Sequence, residues 1–310
     1  GSSVGSVSAG GGGIWSFDYT ATTLSDGLQI LTATATDSAG NTSLDSASYD
    51  VVIDSQSPLV LTLSPASNAT GVGLSDDLVI RFNESVYAGT GNILLRLQSD
   101  NTVVETIDVA GGNFTGFGTD TITIDPVGDL YGSTQYYVEI GAGAILDVAG
   151  NAYAGISGAS GWGFTGEPTQ LVTALPADEA TGVALNTSLS LGFNEPVTAA
   201  AGFITLRRSS DDAVFETIDI NSPQVTGSST ASLTITLSQY LEPGTSYYVN
   251  IDNGALVNGN GVAYSGITNK TDLNFTSFNA TIPVITNVTA AEADGTYFRG
   301  DSINVQVVFS

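Results

Sequence analysis

Carboxylates carry most of the chemistry this sequence offers. The segment Asp37-Ser-Ala-Gly-Asn41 recurs as Asp147-Val-Ala-Gly-Asn151. The order specifies a turn: Asp caps it through an Asx hydrogen bond, Gly supplies a positive φ, and Asn tolerates the left-handed region. Such a turn leaves carboxylate and carbonyl oxygens at a domain tip. Hard oxygen is what Ca²⁺ takes, roughly 6–8 ligands at a time, so neighbouring loops must contribute. Asp54, in the linker Val52-Ile-Asp-Ser-Gln-Ser-Pro58, is the evident second contributor. A later junction, Thr165-Gly-Glu-Pro168, offers Glu167, whereas Asn279-Ala-Thr-Ile-Pro283 offers no acid. The candidate Ca²⁺ ligands are therefore Asp37, Asn41, Asp54, Asp147, Asn151 and Glu167. One site is expected to join Asp37 to Asp54 and another to involve Asp147.

Other groupings are thinner. Glu84 and Glu195 each follow Phe-Asn and invite a catalytic reading. Neither has an evident second carboxylate, and a glycosidase needs two, about 5–9.5 Å apart. They read as strand-end polar residues or cation ligands. Asp76-Asp77 and Asp211-Asp212 read as solvated loop acids that keep the surface soluble by repulsion. Gly10–Gly13 is not a phosphate loop, because no Lys-Ser/Thr follows it and Trp15-Ser-Phe17 reads as a strand. Lys270 is the one lysine, so an isopeptide cross-link has at most a single place to form.

Composition removes whole classes of function. With no His and no Cys there is no Ser-His-Asp triad, Cys nucleophile, tetrahedral zinc site or disulfide framework. Nothing assembles a nucleophile, a base and an oxyanion site, so no enzymatic activity is expected. A net charge of −25, from 31 acids against 6 bases, opposes nucleic acid and anionic membranes and favours cationic partners, Ca²⁺ above all. No apolar run approaches the ~18 residues of a spanning helix, so membrane insertion is not expected. At 42% hydrophobic residues the chain is nonetheless foldable.

The elements that must position these acids come from an internal repeat. At an offset of 111, Leu63-Ser-Pro-Ala-Ser-Asn-Ala-Thr-Gly-Val72 faces Ala174-Leu-Pro-Ala-Asp-Glu-Ala-Thr-Gly-Val183. Phe82-Asn-Glu84 faces Phe193-Asn-Glu195, Glu105-Thr-Ile-Asp108 faces Glu216-Thr-Ile-Asp219, and Tyr136-Tyr-Val138 faces Tyr247-Tyr-Val249. A constant offset over a hundred residues means two homologous tandem domains. Short β-rich runs in the first repeat predict strands at Leu59–Leu63, Leu78–Phe82, Ile93–Leu97, Val103–Val109, Thr121–Ile124, Tyr136–Ile140 and Trp162–Thr165. No capped helical period competes with them, and seven short strands suit an Ig-like sandwich. Tyr247, after Leu241-Glu-Pro-Gly-Thr-Ser246, and Tyr136 by the repeat, are placed as tyrosine-corner core residues. Trp162 aligns with Leu273, which favours packing over sugar stacking. The second repeat has Asn258 opposite Asp147, so Ca²⁺ should stiffen the first junction more than the third.

These motifs carry a resemblance. Trp15-Ser-Phe17 and Ala35-Thr-Asp-Ser-Ala-Gly-Asn41 resemble the late strands of bacterial Ig-like repeats in giant surface adhesins. The middle repeats, with their Ala-Thr-Gly-Val and Phe-Asn-Glu motifs, resemble another bacterial Ig-like family. The chain thus looks like tandem bacterial Ig-like domains of large repetitive cell-surface adhesins, a biofilm-associated or RTX-adhesin-like extender region. The resemblance implies an all-β fold of tandem Ig-like, fibronectin III-like sandwiches joined by short linkers. Residues 1–57 are expected to be the C-terminal part of one domain, 58–167 and 168–282 the two repeats, and 283–310 the opening strands of another. It further implies an extracellular, cell-surface stalk that spaces a binding region from the cell and is stiffened by Ca²⁺ at its junctions. Partners would be neighbouring domains of a longer chain or neighbouring subunits, with surface glycans or proteins as targets. Two alternatives stay open: a carbohydrate- or protein-binding sandwich module, and a filament subunit assembled by strand complementation between molecules.

Overall fold

In the computed structural model of this chain, residues 3–10, 12, 14–19, 23–279, 285–290, 295–302 and 304–309 are described. Gly11 and Gly13 of the glycine run, positions 280–283 of the third junction and Asp294 lie outside them. Among the described residues every regular helix or strand is a strand. The chain divides into two compact units: Gly1–Leu130 with Gln135–Gly166, and Tyr131–Thr134 with Glu167–Ser310.

The first unit opens with a hairpin that pairs Gly27–Leu31 with Tyr49–Ile53. The first repeat follows as two facing sheets. One runs in the order Val60–Ser64, Leu78–Phe82, Thr121–Ile124, Phe114–Thr115. The other runs Ala69–Val72, Gly163–Gly166, Gln135–Ile140, Asn92–Leu97, Val103–Asp108. All seven strands expected in the first repeat form, to within one residue at either end, whereas Trp15-Ser-Phe17, which reads as a strand in the sequence, is irregular. The strands that pattern reading missed have two to four residues: Ala69–Val72, Val86–Ala88, Phe114–Thr115 and Ile145–Asp147. They are too short for an alternating pattern to register.

Alternation explains why these residues form a sandwich. Leu78, Ile80 and Phe82 are fully buried while Arg81 between them faces solvent. From the facing sheet come Ile93, Leu95, Tyr136, Val138 and Phe164, and together they make one core. Trp162 is fully buried within it and donates its indole N–H to the Pro65 carbonyl at 2.8 Å. The packing role expected from its Leu273 counterpart is what the structure has. In the second unit Tyr247 is likewise fully buried, and its Oη accepts the Glu242 N–H at 2.8 Å. That is the tyrosine corner.

One difference between the repeats bears directly on the acids. In the second, a single twelve-residue strand, Ser188–Ala199, carries Glu195 in its interior. In the first, the equivalent stretch breaks into Leu78–Phe82 and Val86–Ala88, and Glu84 lies in the bend between them.

Candidate metal centre

Three carboxylates converge in the first unit. Asp54 follows the Tyr49–Ile53 strand, Glu84 sits in the bend, and Asp147 ends the Ile145–Asp147 strand. Pairing of Ile145–Asp147 with Val86–Ala88 puts Asp147 opposite Val86, two residues beyond Glu84. One oxygen from each acid lies within 4.8 Å of the others. Ca–O bonds are about 2.3–2.6 Å, so two oxygens on opposite sides of one Ca²⁺ stand about 4.6–5.2 Å apart. The cluster is of the right size for one such ion.

Asp147 is the fixed member. It is 3% exposed, and its turn is the one the sequence specified. Its Oδ1 accepts the Asn151 backbone N–H at 2.7 Å, its Oδ2 accepts the Asn151 amide Nδ2 at 2.7 Å, and Gly150 takes φ +92°. Burial pushes its carboxyl upward, but the Asn151 donors outweigh that and hold it below the usual value. The same Nδ2 also donates to the Asp54 carbonyl at 3.0 Å, which ties the linker to the turn. Asp54 in turn caps its own bend by accepting the Gln56 N–H on Oδ1 at 3.0 Å.

Glu84 is the group under electrostatic load. Burial first, and then the charges of Asp147 and Asp54, push it above the ordinary glutamate value. The two bases of the first unit are engaged elsewhere, Arg81 with Asp120 and Arg96 with Glu139. Carboxylates held together in this way favour a divalent cation with hard oxygen preference.

The other candidate ligands stand apart from this group. Asp37 forms the same turn as Asp147 but is exposed, accepting from Ala39 N, Asn41 N and Asn41 Nδ2 at 2.8–2.9 Å. The Asn41 side chain, first, and then its N–H hold Asp37 below the usual carboxylate value. Glu167 belongs to the second unit, where its Oε1 accepts from Asn194 Nδ2 at 3.3 Å. Asp54, Asp147 and Asn151 are thus brought together, while Asp37 is not part of the three-acid group. Glu84 was readable as a cation ligand from its own motif. What joins it to Asp54 and Asp147 is strand pairing, for which the sequence carries no local signal.

A family model described as a bacterial Ig-like domain matches residues 54–166 and again residues 165–277. No curated protein matches the chain. Among solved structures, the chain is similar to CopC from Methylosinus trichosporium OB3b at 19% identity, covering 36% of this chain and 95% of that one, with a TM-score of 0.28. The N-terminal part of the bacterial S-layer protein SbsC is 13% identical, covering 68% of this chain and 43% of that one, at a TM-score of 0.25. The BSP domain of a biofilm associated protein is 15% identical, covering 73% of this chain and 30% of that one, at a TM-score of 0.21. The chain therefore spans less than half the length of the last two.

Proposed function

Since the chain belongs to the bacterial Ig-like domain family, we propose that it is a structural segment of an extracellular, cell-surface protein. Its folded domains would give reach, spacing a binding region from the cell, and it would carry out no catalysis of its own. Calcium is the second part of the proposal. Asp54, Glu84 and Asp147 would hold Ca²⁺, with Asn151 orienting two of them, and carbonyl oxygens and water would complete the shell. The ion would fasten the linker to the bend and the turn, and so stiffen the join between residues 1–57 and the first repeat.

The observation that carries this reading is the convergence of three carboxylates from three separate chain segments. An acid cluster of that kind weakens the apo state by repulsion and strengthens the loaded one by mass action. External calcium would then control stiffness. The burial of Trp162 takes one of the two tryptophans out of reach of a sugar ring, while Trp15 is half exposed.

The test is thermal unfolding and small-angle scattering of the whole chain in Ca²⁺, in Mg²⁺ and in chelator. The expected result is that Ca²⁺ alone raises the melting temperature and narrows the range of interdomain angles. If neither observable responds to Ca²⁺, the calcium part falls and the acids serve solubility alone.

A further inference from the structure

The second repeat keeps one acid of the three-acid group and changes its surroundings. Glu195 stands where Glu84 does, Asn258 where Asp147 does and Thr165 where Asp54 does, and beside Glu195 Thr169 takes the place of Pro58. Glu195, Thr169 and Asn258 are buried, at 3%, 7% and 2% exposure. They close on a single residue of the same unit, Gly132. Its N–H donates to both Glu195 oxygens at 3.2 and 3.1 Å. Its carbonyl accepts Asn258 Nδ2 at 2.8 Å and Thr134 Oγ1 at 3.1 Å. Thr169 Oγ1 donates to Glu195 Oε1 at 2.5 Å, and the Ser133 N–H donates to the Glu167 carbonyl at 3.1 Å.

We propose that Glu195, Thr169 and Asn258 form a calcium-independent binding site for a glycine residue, held by both its N–H and its carbonyl, with Gly132 as its ligand. The chemistry is complementary at each atom. A buried carboxylate needs donors, and here it has a peptide N–H and a hydroxyl in place of a cation. The carbonyl on the other side of the same residue needs a donor, and Asn258 supplies one where an Asp would present a second negative charge. The Asn258 orientation is fixed independently, since its Oδ1 accepts the Asn260 and Val262 N–H groups at 3.1 and 3.0 Å.

The site also selects glycine. A Cβ at position 132 would run into the Glu195 carboxylate and lie 2.7 Å from Thr169 N and 2.8 Å from the Glu167 carbonyl, so even alanine is excluded by fixed backbone. In the first unit both donors are gone, through Pro58 and Asp147. Three positions, 54/165, 58/169 and 147/258, therefore separate the Glu of Phe-Asn-Glu that meets a peptide from the one that meets a cluster of acids. Only the comparison with the first unit rests on the calcium reading; the glycine site stands without it.

Hydrogen exchange of the full chain in chelator tests the proposal. The Gly132 and Ser133 amides should be protected, equally with and without Ca²⁺. Glu195→Ala should make Gly132 exchange about 10–100-fold faster, the consequence of losing a hydrogen bond to a charged group. Asn258→Asp should do the same in chelator, and Thr169→Val, which keeps the shape, should give a smaller acceleration. Should Glu195→Ala unfold the unit, Thr169→Val and Asn258→Asp still decide the matter. Exchange of Gly132 and Ser133 at unprotected rates in the wild type, or protection that vanishes on chelation, would overturn the proposal. An effect of Ca²⁺ confined to first-unit amides, or none at all, leaves the glycine site standing and bears only on the calcium reading.

Discussion

Asp147→Asn converts the first unit's key acid into the residue its homologue already uses, and its consequences can be worked out term by term. Asn258 shows that an amide at this position still accepts the turn N–H groups through Oδ1. The variant therefore keeps the bond from Asn151 N and loses the one from Asn151 Nδ2 to Oδ2. That loss costs about 1.5–3 kcal/mol for a hydrogen bond to a charged group. Against it stands relieved repulsion. At separations within 4.8 Å, each of the two carboxylate pairs that Asp147 makes repels by about 3 kcal/mol at an effective dielectric of ~20, and screening by water and salt around Glu84 and Asp54 brings the two together down to about 2–3 kcal/mol. In chelator the two effects nearly cancel, and the expected change in stability is within about 1 kcal/mol.

In calcium they do not cancel. A site of three carboxylates with carbonyls and water belongs to the extracellular class, with Kd of about 10⁻⁴ M. At ~10 mM Ca²⁺, mass action then adds about 2.7 kcal/mol to the folded state. For a unit of this size the melting temperature should rise by about 5–10 °C. Asp147→Asn should lose most of that rise. Tryptophan fluorescence isolates the unit, because Trp162 is buried in its core and the only other tryptophan, Trp15, is half exposed. If Asp147→Asn keeps the full calcium-induced shift, or melts several degrees lower in chelator as well, Asp147 acts through the fold and not through an ion.

Four further expectations follow. Asn151→Ala should lower calcium affinity about 10-fold in titration calorimetry, because it releases both Asp147 and the Asp54 carbonyl. The pH dependence has two limbs in chelator. Glu84 is raised above 4.5, so its folded form holds a proton that the unfolded form has lost, and stability should fall as pH rises from near 4.5 through its folded value. Asp147 and Asp37 are lowered from 3.8, so their contribution is present above 3.8 and is lost as pH falls through their folded values. Unfolding in urea across this range should therefore show a stability maximum in chelator, and Ca²⁺ should abolish the decline on its alkaline side. Trp162→Ala should cost about 3–5 kcal/mol in the first unit by circular dichroism, since it empties a core site and strips the Pro65 carbonyl of its donor. Tyr247→Phe should destabilise the second unit by about 1–2 kcal/mol, measured by hydrogen exchange, because the Glu242 N–H loses its acceptor.

Much of the fold was readable because it is periodic. The offset of 111 residues and runs such as Leu78-Val-Ile-Arg-Phe82 expose a buried face every second residue. The Trp162–Leu273 equivalence separated packing from stacking in the same way. The turns at Asp37 and Asp147 were readable because Asx capping and glycine geometry are local chemistry. The three-acid cluster was only half readable. Its members are 30 and 63 residues apart along the chain, joined by the pairing of Ile145–Asp147 with Val86–Ala88, strands too short to declare themselves. Asp37 and Asp147 share a motif, yet one is exposed and the other buried, and burial is set by what packs around the turn. The glycine site was less readable still. Nothing marks Gly132 among 37 glycines until Glu195 and Asn258 are seen closing on its two sides.

The most direct test of the account is a calorimetric Ca²⁺ titration of the whole chain beside its Glu84→Gln variant, with melting in chelator verifying that both are folded. Asp54, Glu84 and Asp147 acting together predict one ion bound per chain in the wild type, and its loss when Glu84 is neutralised. Binding of equal strength in Glu84→Gln, or none in either protein, would contradict it.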